Sequence, residues 1–167
     1  MGKVGKFYRS TALAAALVLL VVPAAGKDEE HRHEEHQNHA GFLIGAVYNL
    51  HEKSWGAGLG FEYERILPFW DRLFGVGFAV ETIFDEHKHY VLSALFPIHP
   101  YRELSFAIAP GILFLDDGDG FESRFSIHFA VEYEFELDKI FLAPELEVAF
   151  AGDDVHIMVG LHIGFGF

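Results

Sequence analysis

The chain ends on Val155–Phe167, V-H-I-M-V-G-L-H-I-G-F-G-F, and the reading of these residues decides the fold. Odd positions carry Val155, Ile157, Val159, Leu161, Ile163, Phe165 and Phe167; even positions carry His156, Met158, Gly160, His162, Gly164 and Gly166. Side chains alternate sides along an extended strand, so a period of two gives one bulky apolar face and one small or polar face. A helix would scatter the same residues round its circumference.

Upstream, the same alternation repeats seven more times, over 42–50, 55–66, 74–84, 89–97, 103–114, 121–135 and 140–150. The second segment sets Trp55, Ala57, Leu59, Phe61 and Tyr63 against Gly56, Gly58, Gly60, Glu62 and Glu64. The sixth sets Phe125, Ile127, Phe129, Val131 and Tyr133 against Arg124, Ser126, His128, Ala130, Glu132 and Glu134. Pro110 and Pro144 fall inside segments and remove a ladder donor each, which predicts bulges or local gaps there. Most segments are close to the 9–11 residues, approximately, that a tilted strand needs to cross a bilayer.

The bulky face points either into a soluble barrel or out into lipid. An eight-stranded lumen is only just filled by side chains, and the full set of Phe, Leu, Ile and Val would overfill it. The opposite face carries no Lys, which a water-facing sheet usually does. Turned outward, the large residues meet lipid, and Gly, Ala, Ser, His and Glu suit a narrow interior. The fold class is therefore all-β, an eight-stranded antiparallel up-and-down transmembrane β-barrel over 41–167.

Before the barrel, Lys3, Lys6 and Arg9 precede an apolar run from Thr11 to Val22 and the small residues Ala24, Ala25 and Gly26, the pattern of a cleaved signal peptide over 1–26. Residues 27–40 are rich in His and Glu and open with thirteen residues, Lys27–His39, that include nothing apolar, so this segment is expected to be a disordered periplasmic leader. Its His31, His33, His36 and His39 are candidate ligands for Zn, Cu or Ni, since neutral imidazole suits those ions.

The totals agree. Among 167 residues, 25 are Asp or Glu and 12 are Lys or Arg, a net charge of −13 that excludes a nucleic-acid backbone as partner. There is no Cys, so thiol catalysis, disulfides and a lipidated N-terminal Cys are excluded. No apolar run outside the N-terminus reaches the roughly 18 residues of a membrane helix.

Taken together, the terminal Phe167, the signal peptide and the eight alternating segments resemble the small outer-membrane barrels of the OmpA transmembrane domain and OmpX group. The resemblance implies a bacterial outer-membrane location, lipid around the wall, both termini in the periplasm, and recognition of the last strand by the barrel-assembly machinery. Members that act as adhesins use long outer loops; here the corresponding connections, 51–54, 85–88, 115–120 and 151–154, are short.

Chemistry is expected in two places. The outer rim gathers Glu52, Asp85, Glu86, Asp116, Asp117, Asp119, Asp153 and Asp154, with His51, His87, His89 and His156 nearby, which would concentrate cations and offer oxygens to Ca²⁺ or Mg²⁺. The lumen receives Glu62, Glu64, Glu81, Glu132, Glu134, Glu145 and Glu147, with Arg124 the one clear cation and His128, His156 and His162 able to become one. Carboxylates in a confined space share protons, stay hydrated or bind cations. His128, Glu132, Glu145, Glu147 and His162 are accordingly candidate metal ligands, and binding or passing divalent transition-metal ions is the expected task. The alternative is a structural barrel with a polar plug and no ligand. An enzyme is not expected: Ser126, His128 and Glu145 or Glu147 are similar to the set of outer-membrane lipid A deacylases, but the S-x-H order is reversed from that group's H-x-S and parity turns them into the lumen.

Overall fold

A computed structural model describes residues 36–85, 88–116, 121–137 and 140–167; the N-terminal apolar run and leader residues His31 and His33 lie outside these. The described chain forms β1 (Asn38–Asn49), β2 (Ser54–Ile66), β3 (Gly75–Phe84), β4 (Lys88–Tyr101), β5 (Leu104–Asp116), β6 (Phe121–Tyr133), β7 (Phe135–Leu137), β8 (Ile140–Ala151) and β9 (Asp154–Gly166), with one 3-10 turn at Trp70–Arg72. All pairings are antiparallel, in the order β6-β5-β4-β3-β2-β1-β9-β8-β7, and a β6–β8 pairing closes the sheet. β7 continues β6 in the same register, since Glu132 faces Glu145 and Phe135 faces Leu142. The break at Tyr133 and Glu134 lies where Pro144 has no N–H to give. A second gap, opposite Pro110, interrupts β4 and β5 between Ser93–Gly111 and Phe96–Ile108. Nine strands thus make eight staves of a closed barrel.

The faces fall as the alternation requires. Ile44 is 58% exposed and its neighbour Leu43 is 0% exposed. Trp55 and Tyr48 stack outside near one end, and Phe69, Trp70 and Tyr101 are exposed at the end carrying Asn38 and Phe167, as aromatic girdles do at the two membrane surfaces. We call this second end the terminal end and the other the far end.

Two details differ from the sequence expectation. β4 does not stop at Pro97 but runs to Tyr101, through Pro100. Proline's fixed φ is compatible with extended backbone and the residue before it prefers extension too; only ladder donors are lost, and a register irregularity follows between Ile98 and Tyr101. The inward glycines of β1, β2, β3 and β9, read from the sequence alone, imply open space on that side of the lumen. Instead Leu43, Val47, Ile83 and Met158 pack together inside it. Gly45 fits only because it lacks a side chain: a Cβ there would lie 2.8 Å from the Val159 carbonyl oxygen and 2.9 Å from Met158 Cγ. Gly45→Leu should therefore overpack the lumen and destabilise the barrel by about 1–3 kcal/mol, read as a lower urea midpoint in micelles.

Inward positions read Glu81 and Ile83 along β3; Ser93, Val91, His89 along β4; and His162, Gly160, Met158, His156 along β9. The buried Leu43, Val47, Ile83 and Met158 form an apolar layer on the β1, β3 and β9 side of the lumen, while Val91 packs separately with Leu113 and Ala151.

Candidate metal centre

On the terminal side of that layer the strands bring together two groups of three. His162 on β9 places Nδ1 at 3.1 Å from Glu132 Oε2 on β6 and 4.0 Å from Glu62 Oε2 on β2. His128 on β6 places Nδ1 at 3.1 Å from Glu147 Oε1 on β8 and 4.0 Å from Glu81 Oε1 on β3. In each group one ligand atom per residue lies within 4.8 Å of the others, a spacing that can hold a metal ion. Glu145 sits directly opposite Glu132 and two residues from Glu147 on the same face of β8. It is 4% exposed, and neither of its carboxylate oxygens has a hydrogen-bond partner. The Nε2 atom of His162 is likewise buried and unpartnered.

Charge is out of balance here. Glu62, Glu81, Glu132, Glu145 and Glu147 face two imidazoles, so even two imidazolium ions would leave three negative charges. Arg124, expected as the lumenal cation, instead pairs with Glu122 and Asp154 with its side chain partly exposed, and no Lys or Arg is among the buried residues described. Space is tight as well. A cavity of about 10 Å³ is lined by Glu62, Glu81, His128, Glu132 and Glu147, and one of about 20 Å³ by His39, Glu62, Glu64, His99, Glu132 and His162. Such volumes take a single water or bare ion. The second cavity shares His39, His99 and Glu134 with a vestibule of about 300 Å³ at the terminal end. The vestibule, this cavity and the acidic belt therefore adjoin one another from the terminal mouth inward.

Of the predicted ligands, His128, Glu132, Glu147 and His162 are drawn into the two groups, and Glu145 lies beside both. His39 stacks on Phe141 at 5.4 Å and lines the outer cavity; His36 gives its carbonyl to Arg72 at the mouth. His31 and His33 are outside the described residues, as are Glu86, His87, Asp117 and Asp119 of the acidic rim. Sequence reasoning missed His99, whose Nε2 lies 2.7 Å from Glu64 Oε1 where the vestibule narrows. It also left His89 on the rim, although the side chain is buried. The signal was the parity of β4, which carries inward from Val91 to both residues.

Ser126, His128 and Glu147 form a hydrogen-bonded chain, Ser126 Oγ to His128 Nε2 at 3.3 Å and His128 Nδ1 to Glu147 at 3.1 Å. That is the order of a Ser-His-acid triad, but Ser126 is 1% exposed and does not line the adjoining 10 Å³ cavity. An acyl group has no room there, and the chain's evident effect is to orient the His128 ring.

A closed eight-stave wall, apolar outside and acidic within, defines a small β-barrel of the outer-membrane type. The same fold is found in Neisserial surface protein A, with 6% identity over 78% of this chain and 96% of that one, at a TM-score of 0.58. It is found in the N-terminal β-barrel domain of Pseudomonas aeruginosa OprF, with 14% identity over 80% and 100%, at 0.53. Designed transmembrane β-barrels match too, with 7% identity over 81% and 99%, at 0.54. No protein-family model matches the sequence, and no curated protein matches it significantly. Such likeness speaks for the fold, and the presence of designed barrels in the set underlines that this fold carries no activity of its own.

Proposed function

We propose that the protein is a non-enzymatic barrel of the bacterial outer membrane that binds divalent transition-metal ions in its lumen, reached from the periplasm. The observation that carries this reading is the uncompensated belt of five carboxylates with Glu145 unpartnered at its centre. A cation is the simplest occupant for such a place, and mixed imidazole and carboxylate ligands suit Zn, Ni or Cu better than Ca²⁺. Binding is favoured over passage, because the cavities at the belt are only about 10 and 20 Å³. In this reading both termini are periplasmic, the assembly machinery engages the last strand, and His31, His33, His36 and His39 of the leader bind the same class of ion.

A second reading has its own observation. The Glu81 and Glu147 carboxyls are within hydrogen-bonding reach of each other, so shared protons can neutralise the belt and leave a plugged, ligand-free barrel. Calorimetric titration of the mature chain in micelles with Zn²⁺, Ni²⁺ and Cu²⁺, with and without residues 27–39, separates the two. Binding at micromolar affinity or better in both forms supports a lumenal site. Binding only with the leader present moves the function outside the barrel, and none in either form leaves the proton-filled plug.

A further inference from the structure

The acidic belt offers two sets of ligands, and geometry, space and charge each bear on how many ions it takes. Glu62, Glu132 and His162 make one set whose ligand atoms lie within 4.8 Å of one another, and Glu81, His128 and Glu147 make the other. Each set has one imidazole and two carboxylates, and no residue belongs to both.

The space is divided in the same way. A cavity of about 20 Å³ is bordered by Glu62, Glu132 and His162, and a second of about 10 Å³ by Glu81, His128 and Glu147. Glu62 and Glu132 border both, so these two carboxylates stand between the sets. The ladders give the offset. Glu81 faces Gly60, two residues along β2 from Glu62, and Glu145 faces Glu132, two residues along β8 from Glu147. Both steps lead away from the terminal end, so the second set lies deeper by about 7 Å of strand, at roughly 3.4 Å per residue.

Charge calls for more than one ion. Glu62, Glu81, Glu132, Glu145 and Glu147 carry five negative charges when ionised, and metal-bound imidazole is neutral. One divalent ion brings the belt from −5 to −3, and a second brings it to −1. Beside the sets, both carboxylate oxygens of Glu145 and the Nε2 atom of His162 are buried without a partner, so the chain itself does not satisfy this region.

We propose that the belt is a two-ion centre, with one divalent transition-metal ion on Glu62, Glu132 and His162 and a second on Glu81, His128 and Glu147. The inference rests on the belt's binding metal and adds the number of ions and their nearness. Glu62 and Glu132, placed between two cations, offset their mutual repulsion. Cavities of this size leave no room for a substrate beside the ions, so the pair holds metal and does not act as a hydrolytic two-metal site.

Cu²⁺ reports the arrangement directly, because two copper ions this close couple magnetically and isolated ones do not. The mature chain in micelles, titrated with Cu²⁺ and followed by electron paramagnetic resonance, should develop the half-field signal of a coupled pair. His128→Gln and His162→Gln, made separately, should each bind one equivalent fewer and lose that signal, keeping the isolated signal of the remaining ion. Folding of each variant is checked by its shifted mobility in unheated detergent gels. Where either fails that check, Glu62→Gln takes its place and should also abolish the half-field signal. If the signal is absent from the parent, or persists in the folded variants, the two-ion centre is wrong. If the parent shows no coupled pair but loses one equivalent on Glu132→Gln and Glu147→Gln together, a single ion binds and the belt reading stands without its second ion. If none of these substitutions changes the copper count, both readings fall.

Discussion

Replacing Glu132 and Glu147 by Gln together is expected to lower the lumen's affinity for divalent metal by about 100-fold or more while leaving a folded barrel. These two carboxylates are the ones nearest the imidazoles, each 3.1 Å from His162 or His128. Loss of a carboxylate that merely orients a metal-bound His costs about 10–100-fold in affinity, and here each group also loses one of its three donors. Gln keeps the size and an acceptor oxygen, so the hydrogen bonds to the rings survive and the wall is not repacked.

The same variant makes a second, opposite prediction about stability. In the absence of metal, the parent buries carboxylates with no cation beside them, and replacing buried charge by neutral groups is commonly neutral or stabilising. The metal-free variant should unfold at the same or higher urea concentration than the metal-free parent. With metal at about a hundred times the parent's dissociation constant, the parent should gain about 2.7 kcal/mol and the variant about 0.4 kcal/mol or less. A variant that binds as tightly as the parent, or a parent that gains nothing from metal, removes the belt from consideration.

How much of this was legible beforehand depended on parity. Because a strand's side chains alternate strictly, placing Phe125 outside placed Ser126, His128 and Glu132 inside without any knowledge of pairing. The match of Ala143 to His162 across β8 and β9 was readable from the tight connection between those strands. What parity does not give is height. Whether His128 meets Glu147 or Glu145 depends on strand tilt and side-chain reach, and the backbone register in fact sets His128 opposite Ala149. The lumenal apolar cluster was hidden for the same reason: Leu43, Val47, Ile83 and Met158 come from β1, β3 and β9, and each looks like an exception on a small or polar face. His99 was lost to a local signal, Pro97 and Pro100, which reads as a turn although β4 stays extended through both.

The assignment of faces admits a large and simple test. Ile44 points outward from β1 between Leu59 of β2 and Leu161 of β9, its partners in both ladders. All three are exposed, at 58, 48 and 38%, and none has a polar neighbour across the ladder. In water, Arg at so exposed a position would change stability by no more than about 0.5 kcal/mol. In hydrocarbon, a guanidinium near the bilayer midplane costs about 2–4 kcal/mol, falling to about 0–1 kcal/mol near the interfaces. Ile44→Arg should therefore lower the unfolding free energy in lipid vesicles by about 2–4 kcal/mol. Leu50→Arg, at the far-end connection just beyond β1, should cost about 1 kcal/mol or less, since a long side chain there reaches the headgroups. The contrast between the two positions matters more than either value, because a general intolerance of Arg would not depend on depth. Equal and negligible costs at both would put water, not lipid, against the Phe and Leu face, and the outer-membrane reading would fall.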